Sequence, residues 1–246
     1  MKLREFLKAR EQRLAIAERQ LTRRLLAAFD ETLQPIYEAA RTGQLQGLEG
    51  NLVLSDRHIK SALKWIYVDW SVKFGRWFLR NHEIKQYDYF QQTLESIFDT
   101  EAAEMVRPIV GVTLERAKPA IREALKLANQ GKSIDDITEA IRANVTSQGG
   151  AMSNGRARTI ARTEVISASN QASYESVKTT ALQLEKKWVT GGVNIRDTHI
   201  AAQAQGWIKR DEQFRVGGYT AQHPGDNSLG VEERANCKCV LIYRTV

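Results

Sequence analysis

The chain of 246 residues has little cysteine, little proline and no long apolar segment. Its two cysteines, Cys237 and Cys239, are one residue apart, and alternate residues of an extended strand lie about 6.6–7 Å apart, at or beyond the usual limit for a disulfide. A secreted scaffold held together by disulfides is therefore excluded. No apolar run approaches the roughly 18 residues that cross a bilayer, so we expect no membrane partner.

Motifs of common enzyme classes are also missing from the sequence. It has no Gly-rich phosphate loop, no Ser-centred elbow and no His-Glu-x-x-His helix. Residues 1–5 are charged rather than apolar, unlike a signal peptide, so we expect synthesis and residence in a cytoplasm. Hydrophobic residues make up 42% and charged residues 26%, which indicates a folded protein rather than a disordered one. These features predict a protein that is not an enzyme.

Positive charge is in excess, with a formal net charge of +7, and it is concentrated near the start of the chain. Residues 1–24 contain eight Lys or Arg and three Glu. Such an excess favours a polyanionic partner, for which double-stranded DNA is one candidate. A solvated helix face with surplus cations gives the same count, so both interpretations stay open. The cations considered for DNA contact are Arg4, Lys8, Arg10, Arg13, Arg23 and Arg24.

A seven-residue apolar repeat predicts a first helix from Lys2 to about Gln34, which Pro35 ends or kinks. Similar periodicity predicts several packed helices over the rest of residues 1–150. Pro108 and Pro119 are expected to interrupt them, and Ser133 with Asp136 is a capping box. The helix over residues 59–78 is apolar around much of its cylinder and is therefore expected to be buried on several sides.

The character of the sequence changes after a linker rich in small residues at 147–155, where we place the domain boundary. A helix is predicted from Arg156 to about Thr179, followed by short strands and loops rather than helices. The fold class is thus mainly α with a small C-terminal α+β module, divided into domains 1–150 and 151–246. The strand and loop segments are Leu184–Thr190, a turn at Gly191-Gly192, a polar stretch to Gly206, Gln213–Val216 and Val240–Tyr243.

Two cysteines and two upstream histidines suggest a metal site in the C-terminal part. Cys237 and Cys239 lie on one face of the predicted strand, since side chains alternate along a strand. With His199 and His223 they form a sufficient ligand set for tetrahedral zinc. Structural zinc contributes on the order of 10 kcal/mol to folding a small module. The alternative is a strand packed by two small buried residues, with polar histidines in loops.

A metal-dependent nuclease remains an alternative because His199, His223 and Asn227 occur together with the cysteine pair. Nucleases of the His-Asn-His type usually place a second metal-binding residue directly beside the histidine that acts as general base. Here Thr198 and Ile200 flank His199. No residue is therefore predicted to be catalytic.

Several segments, in order over about residues 155–240, resemble the phage Mu F-like head-morphogenesis (minor head protein) family. Its motif residues correspond to Arg162, Glu164, Trp188, Arg196 and Asn236, and Trp188 is expected to lie in a core. The sequence departs from the family where Gly192-Val193-Asn194 replaces a frequent Asp-x-Arg. The matching segments are Ile160–Val165, Ser169–Ala172, Lys187–Thr190, Arg196–His199 with Gly206, Pro224–Asp226 and Glu233–Cys239.

The resemblance implies a virion protein present in few copies and oligomeric in the particle. Its implied partners are the portal protein and capsid components, with packaged DNA as a further contact. It would reside in the head interior or at the portal vertex, and in the host cytoplasm during assembly. Some family members carry Cys at the positions of Arg196 and His199, which implies metal ligation at His199. A toxin-like enzyme module and a DNA-binding packaging accessory are the competing functions.

Overall fold

The computed structural model describes residues 3–46, 48, 53–81 and 90–246, and most of them are helical. A π-helical turn at Trp65–Trp70 connects the second and third helices. Among the described residues, short strands occur only after the sixth helix. This confirms the predicted fold class, mainly α with a small C-terminal α+β region. The elements are α1 Leu3–Arg41, α2 Arg57–Lys64, α3 Ser71–Asn81, α4 Phe90–Asn129, α5 Ile134–Thr146, α6 Asn154–Lys178, β1 Leu184–Val189, α7 Asp197–Ala204, β2 Trp207–Lys209, β3 Phe214–Val216, β4 Tyr219–Ala221, α8 Val231–Arg234 and β5 Val240–Thr245.

Among the described helices, none combines the length and apolar character that a bilayer span requires. The predicted helix over residues 59–78 corresponds to α2, the π-helical turn and α3. Ile59, Ile66, Tyr67, Phe74 and Phe78 are all buried along it. Burial on several sides was therefore predicted correctly.

None of the three prolines ends a helix, so the predicted interruptions were wrong, while the alternative that Pro35 kinks its helix stays a prediction. Pro35 lies inside α1, and Pro108 and Pro119 lie inside α4. A proline inside a helix removes one backbone hydrogen bond, so the helix continues only where other interactions compensate. Burial of Ile36 and Ala120 directly beside two of these prolines supplies such packing.

The helix starts predicted from polar residues are confirmed. In α5 the backbone N–H of Asp136 donates to Ser133 Oγ at 3.1 Å, and the N–H of Ser133 donates back to Asp136 Oδ2 at 3.3 Å. This reciprocal pair is the predicted capping box. The helix predicted from Arg156 to about Thr179 is α6, which spans Asn154–Lys178.

The chain forms two compact units, each built from segments that are distant in sequence. Unit 1 comprises the described residues of Met1–Arg19, Lys64–Asp99 and Thr159–Val246, and unit 2 those of Gln20–Leu63 and Thr100–Arg158. The division into domains 1–150 and 151–246 stays a prediction, because packing in the folded chain does not test which stretch folds alone. The apolar core of unit 2 includes Leu33, Ile36, Leu45, Leu54, Ala117, Ile121, Ile137, Ile141, Val145 and Ala151.

Unit 1 contains an antiparallel sheet of order β2-β1-β5 and a β3–β4 hairpin. In the central strand, β1, side chains alternate between buried and partly exposed, with Lys186 and Trp188 on the buried face. The polar stretch before Gly206 was predicted without a helix but contains α7. This short helix buries His199 and Ala202, and so places an imidazole against the ring of Trp188 in the central strand.

Candidate metal centre

His199 from α7 meets both cysteine thiols, which precede β5. Nδ1 of His199 lies 3.3 Å from Sγ of Cys239 and 3.7 Å from Sγ of Cys237, and the three ligand atoms are within 4.8 Å of one another. Tetrahedral zinc with its usual Zn–S and Zn–N bond lengths separates neighbouring S and N ligands by about 3.5 Å. The three residues are 2–3% exposed. Their spacing and chemistry fit a buried zinc ion.

His223 does not join this group, so the predicted four-residue ligand set is corrected to three. Its ring is buried beside Tyr174, with centroids 5.8 Å apart, and its Nδ1 lies 3.3 Å from the carbonyl of Pro224. Among the described residues, only His199, Cys237 and Cys239 form a cluster able to share a metal ion. Asn170 Nδ2 donates to the carbonyls of both Pro224 and Cys239 at 3.1 Å, so the loop carrying His223 lies beside the cysteine residues while the His223 ring packs against Tyr174. Burial there lowers the pKa of His223.

The two thiols reach His199 through a turn rather than from a strand, which corrects the predicted geometry. Asn236 adopts a left-handed backbone conformation with φ of 56°, and β5 begins only at Val240. The N–H of Asn236 donates to Thr163 Oγ1 at 3.1 Å. The N–H of Cys239 donates to Cys237 Sγ at 3.3 Å, as an amide does when it supports a sulfur ligand.

Glu233 lies on the far side of the imidazole. Its Oε2 is 3.1 Å from His199 Nε2, although the two atoms are not aligned as a hydrogen bond. Thr198 Oγ1 donates to the same carboxylate oxygen at 2.8 Å. A carboxylate behind a metal-binding histidine fixes the orientation and the tautomer of the ring. Sequence analysis did not assign this role to Glu233.

Gly217 makes room for that carboxylate. Its φ is +59°, a conformation that side chains with a Cβ rarely adopt, and a Cβ there would lie 2.9 Å from Glu233 Oε1. The turn between β3 and β4 therefore favours glycine beside Glu233.

The thiols are electrostatically unequal. The hydrogen bond from Cys237 and the neighbouring His199 lower the pKa of Cys239 to about 5, against the effect of burial. The same hydrogen bond and burial raise the pKa of Cys237. The pair by itself therefore favours one thiolate, and a bound cation would favour ionisation of the second.

Three of the residues that match the family motif stabilise the turn at residues 235–239, which carries both thiols and is called the cysteine turn below. Arg196 Nη2 donates to the carbonyl of Ala235 at 2.6 Å. Arg162 Nη1 donates to Asn236 Oδ1 at 3.4 Å, and its Nη2 pairs with Glu18 Oε1 at 2.9 Å. These arginines donate to acceptors in the turn next to the candidate metal ligands.

The other two motif residues are buried. Glu164 accepts a hydrogen bond of 2.6 Å from Tyr67 Oη. Trp188 is fully buried, with its ring edge-to-face against His199 and Phe214, which confirms its predicted place in a core. Both therefore stabilise unit 1 from inside.

Asn170 is a buried residue whose role the sequence analysis missed. Its Nδ2 donates to the carbonyls of Pro224 and Cys239, both at 3.1 Å. Its Oδ1 accepts from the N–H of Leu241 at 3.1 Å and from Arg10 Nη2 at 3.2 Å. The one signal in the sequence was its position in the segment Ser169–Ala172 that resembles the family.

The cations considered for DNA contact differ in accessibility. Arg10 is only 6% exposed and donates to Ser169 Oγ at 3.0 Å, so a DNA backbone cannot reach it, and its inclusion is corrected. The guanidinium of Arg13 lies 4.8 Å from the centroid of the Trp77 ring. Arg4, Lys8, Arg13, Arg23 and Arg24 are exposed along α1.

Comparison with known proteins assigns the family. The family model described as Phage Mu protein F like protein matches residues 118–242. The uncharacterized protein YqbB of Bacillus subtilis strain 168 is 41% identical over 91 residues, which are 35% of this chain and 30% of that relative. This chain thus spans less than a third of the relative's length, and no solved structure matches. The family match covers about half of the chain and confirms the resemblance, so this protein belongs to the phage Mu F-like family, which is associated with phage head morphogenesis.

Proposed function

We propose that this chain is a minor head protein of a tailed bacteriophage that joins the portal vertex during procapsid assembly. Family membership carries the proposal. The arrangement of the motif residues supports it, because Arg162, Arg196 and Asn236 form hydrogen bonds that stabilise a turn. The residues that characterise the family thus stabilise the fold, and the surface of the protein is available to bind partner proteins.

Burial argues against the nuclease or toxin-like alternative. Cys239, His199 and Glu233 are spaced like a nucleophile, its base and an orienting acid. Both Cys239 and His199 are nevertheless only 2% exposed, and the cavity nearby is lined by Lys238 and Val240 rather than by either of them. We expect no nuclease activity with Mg²⁺, Mn²⁺ or Zn²⁺. Metal-dependent cleavage that His199→Ala abolishes would overturn the structural role.

The head role is tested in procapsids of a phage that encodes this chain. Quantitative mass spectrometry of purified procapsids should find few copies relative to the major capsid protein. Procapsids assembled without the portal protein are the control and should lack the chain. Its absence from portal-containing procapsids, or equal amounts in both preparations, would contradict the proposal.

Structural zinc at His199, Cys237 and Cys239 is part of the same proposal. Thiolate and imidazole ligands are those that zinc prefers, and both the spacing and the position of Glu233 suit it. The ion would link α7 to the turn before β5. The described residues supply three of the four ligands that a structural zinc ion usually has.

Elemental analysis tests the zinc site and should find about one zinc per chain. Replacing zinc with Co²⁺ should give thiolate-to-metal charge-transfer absorption, which Cys237→Ser combined with Cys239→Ser removes. Glu233→Gln should weaken metal affinity about 10- to 100-fold in competition with a chelator, because the carboxylate no longer orients His199. Glu232→Gln is the matched control, since Glu232 is exposed and accepts a hydrogen bond from Tyr219. A metal-free protein with an unchanged melting temperature after metal addition would contradict the site.

DNA contact is proposed for the exposed cations of α1, as expected of a packaging accessory. Arg4 and Lys8 are one turn apart and share a helix face. Affinity for duplex DNA should fall steeply with salt, and Arg4→Ala and Lys8→Ala should each reduce the salt slope by about 1. Lys60→Ala, which removes an exposed cation from α2, is the control. Absent or salt-independent binding would contradict DNA contact.

A further inference from the structure

A cavity of about 360 Å³ lies within unit 1, outside the metal centre. Its walls come from the first half of α1, from α6, from the end of β1 and from residues 238–240. Leu7, Leu14, Val165 and Val240 form part of an apolar lining. The volume is at the small end of the range for ligand pockets, about 300–1,000 Å³, and suits the end of a chain rather than a long peptide.

Arg10 lines this cavity with a cation that is more than nine-tenths buried. Its Nη2 donates to two neutral acceptors, Ser169 Oγ at 3.0 Å and Asn170 Oδ1 at 3.2 Å. Within the described chain, Nε and Nη1 of Arg10 have no hydrogen-bond acceptor, and no carboxylate forms an ion pair with it. Burial lowers the pKa of Arg10 to about 10, so the guanidinium stays charged at neutral pH.

A buried cation without a counterion is costly, and an anion in the cavity would relieve that cost. The nearby thiols do not supply this charge when zinc is bound, because Zn²⁺ with two thiolates is neutral. Of the other charged groups in the lining, Arg162 is neutralised by Glu18, and Glu11 and Lys238 are exposed to solvent.

The turn at Gly191 and Gly192 adds backbone donors to the lining. Gly192 has φ of +88°, and a Cβ on Gly191 would lie 2.5 Å from the carbonyl oxygen of Lys238, so the close approach of this turn depends on glycine.

We propose that this cavity binds the C-terminal carboxylate of a protein chain whose last side chain is apolar. Arg10 would bind the carboxylate by a charge-assisted hydrogen bond from Nη1, since Nη2 is occupied by Ser169 and Asn170, and the aliphatic lining would take the side chain. A DNA phosphate fits less well, since it is carried on a hydrated backbone and brings no apolar group. The proposal rests on the proposed zinc, which neutralises the thiolates near Arg10, but it does not depend on the proposed head role.

The test uses the full chain with N-acetyl-L-leucine as a minimal chain end and N-acetyl-L-leucinamide as its neutral counterpart. Saturation-transfer NMR titrations should show about tenfold tighter binding of the acid, because charge-assisted hydrogen bonds are stronger than neutral ones. Arg10→Met should remove the preference for the acid. Arg19→Met takes the same charge from an exposed position on the same helix, outside the cavity, and should change nothing.

Arg10 also supports the fold, so a second variant tests the cavity itself. Ala15→Leu adds bulk to the lining without removing a hydrogen bond of Arg10, and it should weaken binding of both probes. Equal binding of acid and amide, no binding of either, or wild-type binding by the Ala15→Leu protein would overturn the proposal. Displacement of the acid by equimolar inorganic phosphate would also overturn it, because the apolar lining would then contribute nothing.

Discussion

Asn170 lies fully buried in α6, where an amide is costly unless its polar atoms are paired. It connects α6 to the loop at Pro224, to the cysteine turn at Cys239 and to the first residues of β5. It also accepts from Arg10. One side chain thereby joins α1, the turn that carries the two thiols and the sheet within unit 1.

Replacing Asn170 with Leu should destabilise unit 1 strongly. The change leaves two carbonyls, one N–H and one guanidinium group short of a partner, and each unpaired buried polar group costs about 1–3 kcal/mol. We expect a loss of at least about 3 kcal/mol in the free energy of unfolding, measured by urea denaturation. Gln20→Ala removes an exposed amide and should leave the midpoint unchanged. Equal midpoints for wild type and Asn170→Leu would refute the argument.

The proposed metal ligands could be predicted only in part from residue types. Cys237, Cys239 and His199 were found because thiols and imidazoles are typical zinc ligands. His223 was included wrongly, since the sequence does not reveal that its ring packs against Tyr174 and stays outside the cluster of His199 and the two thiols. The role of Glu233 was not predicted, because 33 residues separate it from His199 and a contact between residues so distant in sequence leaves no recognisable motif.

At the scale of elements, α3 packs closely against the beginning of α4 at Gly75. A Cβ at this position would lie 2.3 Å from the ring of Phe90, which is itself buried. Gly111 in α4 presents the opposite case, with no atom within 4 Å of a Cβ built there. The two glycines therefore separate the effect of close packing from that of helix propensity.

Gly75→Ala should destabilise the protein by about 1–3 kcal/mol, because Phe90 or the backbone must move to admit the methyl group. Gly111→Ala should stabilise it by about 0.5–1 kcal/mol, because alanine loses less backbone entropy in a helix. Chemical denaturation of both proteins measures the difference. If both substitutions changed the free energy of unfolding in the same direction, helix propensity alone would account for the two effects.

The central strand, β1, buries a lysine. Lys186 Nζ donates to the carbonyl of Gln222 at 3.0 Å and to its side-chain oxygen, and lies 4.8 Å from the centroid of the Tyr174 ring. Burial lowers the pKa of Lys186 to about 7, although Asp211 and Asp226 oppose the shift. The strand therefore holds an amine that is largely neutral in mildly alkaline solution.

This amine should make stability rise with pH. Between about 7 and the ordinary value of 10.5, the unfolded chain holds a proton at Lys186 that the folded chain has released. Raising the pH through this window therefore increases the free energy of unfolding, and below it the gain is absent. Lys186→Met should flatten the rise in urea midpoint. Lys187→Met, a substitution on the other face of β1, should keep the rise in urea midpoint with pH. If the urea midpoints of wild type and Lys186→Met changed with pH in parallel, the pKa of Lys186 would not explain the rise.

Helices were more predictable than the segments between the strands. Apolar periodicity and the Ser133 capping box predicted α1, α5 and α6 correctly. The continuation of α1 and α4 through prolines could not be predicted, because compensation comes from tertiary packing. The short helix α7 was missed since only His199 and Ala202 of its eight residues are buried, too few for a periodic signal.

At the scale of the whole molecule, all three proposed zinc ligands belong to unit 1. The core of unit 2 contains Leu33, Ile121 and Ile141, and no ligand of the cluster. A metal that links α7 to the turn before β5 therefore stabilises one unit directly. The two units provide an internal comparison within a single chain.

Removal of zinc by a chelator should accelerate amide hydrogen exchange in β1, β5 and α7 of unit 1, because the link between α7 and the cysteine turn is lost. Amides of α5, which packs in the core of unit 2, should keep their protection, since local opening depends on the contacts of each segment. Exchange mass spectrometry of the full chain measures both at once. The protein with Cys237→Ser and Cys239→Ser should show the faster exchange from the start and should not respond to the chelator. Unchanged exchange in β5, or equal acceleration in α5, would mean that the cysteine cluster does not hold unit 1 together through a metal.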